Sequence, residues 1–263
     1  MATVHLEANI RGLGDVFYCN NSSFTDASNV VLEKSDELIS LRDLAYAQMV
    51  EAKRGRNWRR SSLCTNNSYV KEGSLFDPKS SLHNFYARKS ILLRESLVLQ
   101  NPSDAVTDHQ FSNEYVPKNF NLEEYLEQIG KDNYLVVTRE MLSTRNSIPT
   151  DKFGENPLTV WAFSDQAEKY GLFLRNADIY SIKIWTYGNN SLEYYKESQP
   201  IANQLFLNDF YALGISCNGK NLNYNVRVRG VHHELVENNA SPNTRLYDSI
   251  KKLLKPQSCV LHK

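Results

Sequence analysis

Apolar side chains recur at every second residue in two stretches of this chain, and that spacing restricts what it can fold into. Val4, Leu6, Ala8 and Ile10 fall on one face of an extended segment, and Leu222, Tyr224, Val226 and Val228 on one face of another, because successive strand side chains point to opposite sides. Arg227 and Arg229 are thereby expected on the opposite face of the second segment. Short runs rich in β-branched and aromatic residues predict further strands at Asp15–Cys19, Asn29–Glu33, Ser90–Leu99, Tyr134–Thr138, Leu158–Phe163, Tyr170–Leu174 and Tyr180–Tyr187. The chain reads as β-dominated.

Helical spacing appears in fewer places. Leu38, Leu41, Leu44, Ala45 and Met49 predict an amphipathic helix from Asp36 to Arg54, with Gly55 able to end it. Asn121-Leu122-Glu123-Glu124 resembles a capping box that opens a helix through Ile129, and Gly130 is placed to close it in a left-handed conformation. Weaker helical patterns cover Pro200 to Leu213 and Thr244 to Lys255, the second stopped by Pro256. The polar stretches Arg56–Gly73 and Asn101–Asn119 read as long loops or as segments ordered by a partner. The expected class is α+β, with mostly antiparallel strands and a few helices, in a single domain spanning 1–263.

Charge and cysteine usage narrow the function classes. Lys plus Arg and Asp plus Glu each number 30, so no net field draws the chain to nucleic acid or an anionic membrane, and little repulsion keeps copies apart. The start, Met-Ala-Thr-Val-His-Leu-Glu, lacks the basic and apolar regions of a signal peptide, and no apolar run approaches bilayer length. A cytoplasmic chain with no membrane partner is expected. Cys19, Cys64, Cys217 and Cys259 are widely spaced without a Cys-x-x-Cys, and read as reduced, mostly buried thiols. Sequons at Asn20, Asn21, Asn66 and Asn189 need a secretory route that this start does not provide.

Each candidate for chemistry fails its own spacing rule. His232-His233-Glu234 offers imidazoles and a carboxylate for metal binding, yet consecutive strand residues face opposite ways, so a surface reading is preferred. Tyr247 with Lys251 has the spacing of a replication-initiator tyrosine motif, whose histidines need an intervening residue that His232-His233 lacks. Asp178 and Lys183 evoke a metal-dependent nuclease core, but Ser181 stands where the second acid belongs. Gly12-Leu13-Gly14 lacks the third glycine of a dinucleotide loop and reads as a turn. No Gly-x-Ser-x-Gly or phosphate-binding P-loop occurs. No catalytic or metal residue is therefore assigned, and cofactor-binding residues stay unassigned.

Two features have partner chemistry. Lys53-Arg54-Gly55-Arg56-Asn57-Trp58-Arg59-Arg60 concentrates cations around an indole and can hold phosphate with Trp58 stacking on a base, or simply complement a helix C-terminus. Fifteen tyrosines supply large contact area with few torsions to freeze, a property that enriches Tyr at interfaces, and the other reading is a Tyr-rich core.

Three patches resemble the cypovirus polyhedrins, proteins of crystalline viral occlusion bodies in insects: Asp15–Cys19 and Asn29–Glu33 with the helix from Asp36 to Arg54; Tyr170–Leu174 and Tyr180–Ile184 through Gly188; and Glu234-Leu-Val236, Ala240-Ser-Pro-Asn243 and Tyr247-Asp248. The resemblance implies an α+β fold with a β-sandwich-like core of mostly antiparallel strands flanked by a few helices, and homotrimers packed into a cubic lattice in the infected cell's cytoplasm, enclosing virus particles and dissolving in alkali. Some relatives also hold nucleotide in the lattice. The family's N-terminal helical arm has no counterpart, since strand-like Val4–Ile10 comes first, and the Asp36–Arg54 helix is the substitute. The expected function is a non-enzymatic, self-assembling structural protein, with interface tyrosines drawn from Tyr180, Tyr187, Tyr194, Tyr195 and Tyr224. The rivals are a metal-dependent nuclease or phosphoryl-transfer enzyme using Asp178, Lys183 and His232 or His233, and a nucleic-acid-binding protein acting through Lys53–Arg60.

Overall fold

Along the chain the elements are β1 (Val4–Ile10), β2 (Gly14–Asn20), α1 (Phe24–Leu32), β3 (Glu37–Leu38), α2 (Leu41–Gly55), α3 (Ser62–Thr65), β4 (Ser68–Phe76), β5 (Asn84–Ala87), β6 (Val106–Thr107), β7 (Asn113–Tyr115), α4 (Leu122–Ile129), β8 (Tyr134–Val136), β9 (Ser147–Pro149), α5 (Pro157–Phe163), α6 (Ala167–Asn176), β10 (Ser181–Ile184), β11 (Ile201–Leu207), β12 (Gly214–Ser216) and β13 (Arg227–His233). The computed structural model describes residues 3–20, 24–55, 58–80, 84–90, 106–107, 113–115, 120–142, 146–184, 200–211, 213–216 and 227–234. Met1–His233 form one unit and Glu234–Lys263 another, of which only Glu234 is described.

A buried antiparallel ladder between β4 and β11, from Ile201↔Phe76 to Leu207↔Ser68, is the centre of the sheet. The sheet forks around it. The start of β4 pairs with β13 and its end with β5; the start of β11 pairs with β7 and its end with β12. One arm continues through β13 to β2 and β1, and through β12 to β10 and β9, while the other carries β5–β8 and β7–β6. The β13–β4 and β10–β12 ladders are parallel and the other described ladders antiparallel. The class is α+β, as expected.

Several local expectations are corrected, and each miss has a physical reason. Asn29–Glu33 lies not in a strand but largely in α1, where Phe24, Ala27, Ser28 and Val31 are buried at helical spacing. Leu158–Phe163 is the helix α5: Asn156 Oδ1 accepts from Leu158 N at 2.9 Å and Pro157 sits at the first helical position, a start signal stronger than the strand-like composition. Tyr170–Leu174 lies in α6, whose buried Ala167, Tyr170, Gly171 and Leu174 again follow the helix period. Pro200–Leu213 is not helical; its first half is β11, with Ala202 through Leu207 all buried as in a strand covered on both faces. Arg56–Gly73 holds α3 and half of β4 rather than one loop, and Asn101–Asn119 contains β6 and β7.

The helix expected from Asp36 begins later. Ser40 accepts from Asp43 N at 3.0 Å and so caps α2, while Glu37 and Leu38 pair with Val231 and Gly230 of β13. The α4 start is as expected, with Asn121 accepting from Glu124 N and Gly130 at φ +76°. A Cβ on Gly230 would sit 2.1 Å from Ser35 Oγ, so this glycine lets α1 and the turn after it lie against β13. Ser90 lies outside any element and 91–99 outside the described residues, as do Leu222–Val226 and Thr244–Lys255.

The expected Val4–Leu6–Ala8–Ile10 face is broken by an irregularity. The register slips between Leu6 and Ala8, leaving Leu6 58% exposed and turning the Glu7 side chain inward. There Glu7 meets the fully buried Arg229, which donates to it from Nε at 2.5 Å and Nη2 at 2.9 Å, and Arg227, which donates at 2.9 Å. Ser62 Oγ donates to the same carboxylate at 2.7 Å, and the Ser62 and Asn67 carbonyls accept from Arg229. Burial alone would raise the Glu7 carboxyl, but the Arg229 charge and hydrogen bonds, with Ser62 and Arg227, hold it below its ordinary value. A second buried carboxyl has the opposite fate: Glu72 accepts from Leu41 N at the start of α2, and burial pushes it up to about 8.

These two carboxyls make stability depend on pH with opposite signs. Glu7, with a lowered folded value, stabilises above its unfolded value, and that stabilisation is lost as pH falls through the folded one; Glu72, with a raised value, stabilises most below about 4.5 and loses this as pH climbs through about 8. Urea unfolding from pH 4 to 9 should show Glu7→Gln destabilised by roughly 3–5 kcal/mol at neutral pH, because Arg229 is left buried and uncompensated. Glu72→Gln should flatten the decline between pH 5 and 9.

Candidate functional site

The two histidines at the end of β13 face opposite sides, as a strand requires, and each finds a carboxylate from the segment that leads into α2. His232 Nδ1 lies 3.0 Å from Asp36 Oδ1, and His233 Nε2 lies 3.2 Å from Glu37 Oε1. The His233 amide, with the His232 ring, holds the Asp36 carboxyl below its ordinary value. Burial would raise Glu37, and the hydrogen bond and charge of Lys71, 2.8 Å away, outweigh it. Asp43 completes the group on the α2 side: the donor atoms of Glu37, Asp43 and His233 lie within 4.8 Å of one another. Sequence reasoning misses Glu37 and Asp43, because their meeting with His233 depends on the β3–β13 pairing, across nearly two hundred residues.

The basic patch lands on a surface with aromatic neighbours. Lys53 and Arg54 are in the last turn of α2, where their charge complements the helix end; 56 and 57 lie outside the described residues. Trp58, Arg59 and Arg60 form a short 3-10 turn. The Trp58 ring lies 5.2 Å from Phe210 and 5.6 Å from Tyr211, and the Arg59 guanidinium stands 5.3 Å from the indole centroid. Phe210 is buried at 4% exposure, while Tyr211 is 72% exposed. Arg59 and Arg60 are exposed. The rings thus form a tilted, edge-to-face cluster that joins the buried Phe210 to the exposed Tyr211, with the Arg59 cation over the indole. Phe210-Tyr211 after β11 escapes a reading of the sequence, since the helical pattern of Pro200–Leu213 hides the turn that presents it.

The remaining candidates stay apart from these groups. Asp178 sits at φ +63° in the turn after α6, with its carboxylate accepting from the Tyr180 hydroxyl at 3.3 Å, and Lys183 is exposed on β10 beyond it. Gly12 and Gly14, at φ +81° and +119°, serve the turn joining β1 to β2. Cys19 and Cys64 are buried free thiols, and burial pushes Cys64 up to about 12. Glu234 is exposed; Cys217, Cys259, Tyr247 and Lys251 lie outside the described residues. No described helix is long and apolar enough to cross a membrane.

Much of the described tyrosine content is core. Tyr69, Tyr86, Tyr125 and Tyr170 are buried, and Tyr170 donates to Gln48 Oε1; burial raises Tyr69 and Tyr170 and pushes Tyr125 up to about 12. Tyr180 is 65% exposed, and Tyr187, Tyr194, Tyr195 and Tyr224 lie outside the described residues. Of the segments that carry the polyhedrin resemblance, Asn29–Glu33 and Tyr170–Leu174 are not the strands expected there.

No protein-family model matches the chain, and no curated protein matches it. A solved structure described as "Accommodation of massive sequence variation in Nanoarchaeota by the C-type lectin fold" is similar, with a TM-score of 0.56 at 18% identity, covering 86% of this chain and 100% of its own. At that identity the likeness is one of fold alone.

The exposed and buried members of the aromatic cluster should separate cleanly in stability. Tyr211→Ala should change the unfolding free energy by no more than about 0.5 kcal/mol, as for a surface substitution. Phe210→Ala should cost roughly 3–5 kcal/mol by removing a buried ring. Thermal or urea unfolding of the two variants checks this.

Proposed function

We propose that this chain is a non-enzymatic recognition protein whose ligand carries an aromatic base and phosphate, of nucleotide or oligonucleotide class. The observation that carries the reading is the Trp58–Tyr211 pair, 5.6 Å apart and edge-to-face, with Arg59 over the indole and the exposed Arg60 in the same 3-10 turn. A base stacking on such rings contributes roughly 1–3 kcal/mol, and exposed guanidinium groups supply hydrogen bonds to phosphate. Because the whole chain is neutral, attraction rests on this local patch alone. Stacking on an exposed ring needs no catalytic group, in keeping with the scattered Asp178, Lys183 and His232. The similar structure's description speaks of a C-type lectin fold accommodating massive sequence variation; for this chain it supports a scaffold whose buried sheet holds shape while its surface residues choose the ligand.

A second reading, self-assembly into a viral occlusion body, is favoured by the exposure of Leu6, Leu172, Tyr180 and Tyr211 on a chain without net charge. Phenols buried between copies would have raised pKa values, so such particles would persist at neutral pH and dissolve above about pH 10. Expression that yields pelletable particles with that pH dependence, shifted upward in Tyr180→Phe, favours this reading.

Fluorescence anisotropy with a labelled single-stranded oligonucleotide, and competition by free nucleotide, tests the first. Binding should weaken by about 5- to 150-fold in Tyr211→Ala. The slope of log affinity against log salt should become shallower by about 0.7 for each phosphate that Arg59→Ala or Arg60→Ala leaves without its cation. Equal binding by wild type and all three variants, or none at low salt, overturns the proposal.

A further inference from the structure

The His233 ring projects from the end of β13 to the side of the sheet where α2 begins, and there it meets side chains from two other elements. Glu37 belongs to β3 and Asp43 to the first turn of α2. The β3–β13 pairing of Glu37 with Val231 and the Ser40 cap on Asp43 hold the group in place.

We propose that Glu37, Asp43 and His233 form a binding site for a divalent transition-metal cation of the zinc class. Zinc accepts imidazole nitrogen and carboxylate oxygen at about 2.0–2.2 Å, which places its ligand atoms roughly 3.3 Å apart. His233 Nε2 and Glu37 Oε1 already lie 3.2 Å apart. The set as a whole spans no more than 4.8 Å, so the Asp43 carboxylate needs to swing inward by only about 1.5 Å to close the set. Metal would take the place of the direct His233–Glu37 contact.

The neighbouring groups fit the role of supports. Lys71 takes Glu37 Oε2 at 2.8 Å and leaves Oε1 for metal. Ser40 Oγ donates to Asp43 Oδ2 at 2.6 Å, and Arg42 to Oδ1 at 2.9 Å; ligating carboxylates are commonly oriented by such hydrogen bonds. Three carboxylates (Glu37, Asp43 and Asp165, the last 2.7 Å from Arg42) face two permanent cations, Lys71 and Arg42. The balance is negative and suits a dication. The His233 and Glu37 side chains are 43% and 40% exposed, which gives metal a way in. Imidazole selects zinc, cobalt or nickel over calcium and magnesium, which prefer all-oxygen sets.

The test is calorimetric titration of the chelator-stripped full chain with zinc chloride, and with cobalt chloride followed by visible absorption. Because the chain has six histidines, variants decide the assignment. His233→Ala and Glu37→Gln should each weaken the tightest zinc site by at least about tenfold and abolish the cobalt band. His232→Ala, on the opposite face, should do neither. Affinity should fall on acidification, because protons compete with metal for the ligand atoms. Far-ultraviolet circular dichroism confirms that each variant is folded, and Glu37→Gln keeps the side-chain shape should His233→Ala unfold. Absence of zinc binding, or binding equal in wild type and in folded Glu37→Gln, overturns the site.

Discussion

Glu7 and Arg229 leave water together, and that fact ties the edge strand β1 to β13 across β2. A guanidinium with no exposed surface has to be met by a carboxylate and by carbonyls on its remaining donors, and here the carboxylate comes from β1 and the carbonyls from Ser62 and Asn67. The slip in register between Leu6 and Ala8 exists where it does because it turns Glu7 inward. Once the pair is made, the hairpin of β1 and β2 is fixed against β13, α3 against both, and the start of β4 against β13. Such a pair does not by itself favour folding strongly, since its desolvation cost offsets much of its attraction; it excludes other registers, which would bury either charge alone.

The alternation at Val4–Ile10 is legible as a strand, and its face is not. Alternation locates a strand but is blind to one inserted residue, so it places Leu6 inside and Glu7 outside. It separates Arg227 and Arg229 from Val228 correctly, yet Arg229 is itself fully buried, which only its partner on a distant strand reveals. The mistaken strands at Asn29–Glu33, Leu158–Phe163 and Tyr170–Leu174 share one cause: five- or six-residue windows of β-branched and aromatic residues are too short to display the helix period. Asn156-Pro157 is a visible start signal that the composition of the following residues masks. In β11 the reverse holds, because a strand buried on both faces has no alternation to detect.

The site candidates follow the same division between local and long-range information. The cations and the indole of Lys53–Arg60 stand in a row along the sequence, and their surface position is legible there. What the sequence lacks is the second ring, Tyr211, brought beside Trp58 by the turn after β11. Strand geometry alone turns His232 and His233 apart, but their carboxylate partners come from Asp36 and Glu37, which only the pairing of β3 with β13 delivers.

The proposal that the Trp58–Tyr211 surface takes an aromatic, phosphate-bearing ligand meets its most direct test in proton–nitrogen correlation spectra of the labelled chain during nucleotide titration. The chain has three tryptophans, so the Trp58 indole signal can be assigned by its loss in Trp58→Phe. This signal and the Tyr211 amide should shift saturably, together with Arg59 and Arg60, while the indole of Trp161 stays in place. Unmoved spectra at millimolar nucleotide, or shifts confined to other parts of the sheet, would contradict it.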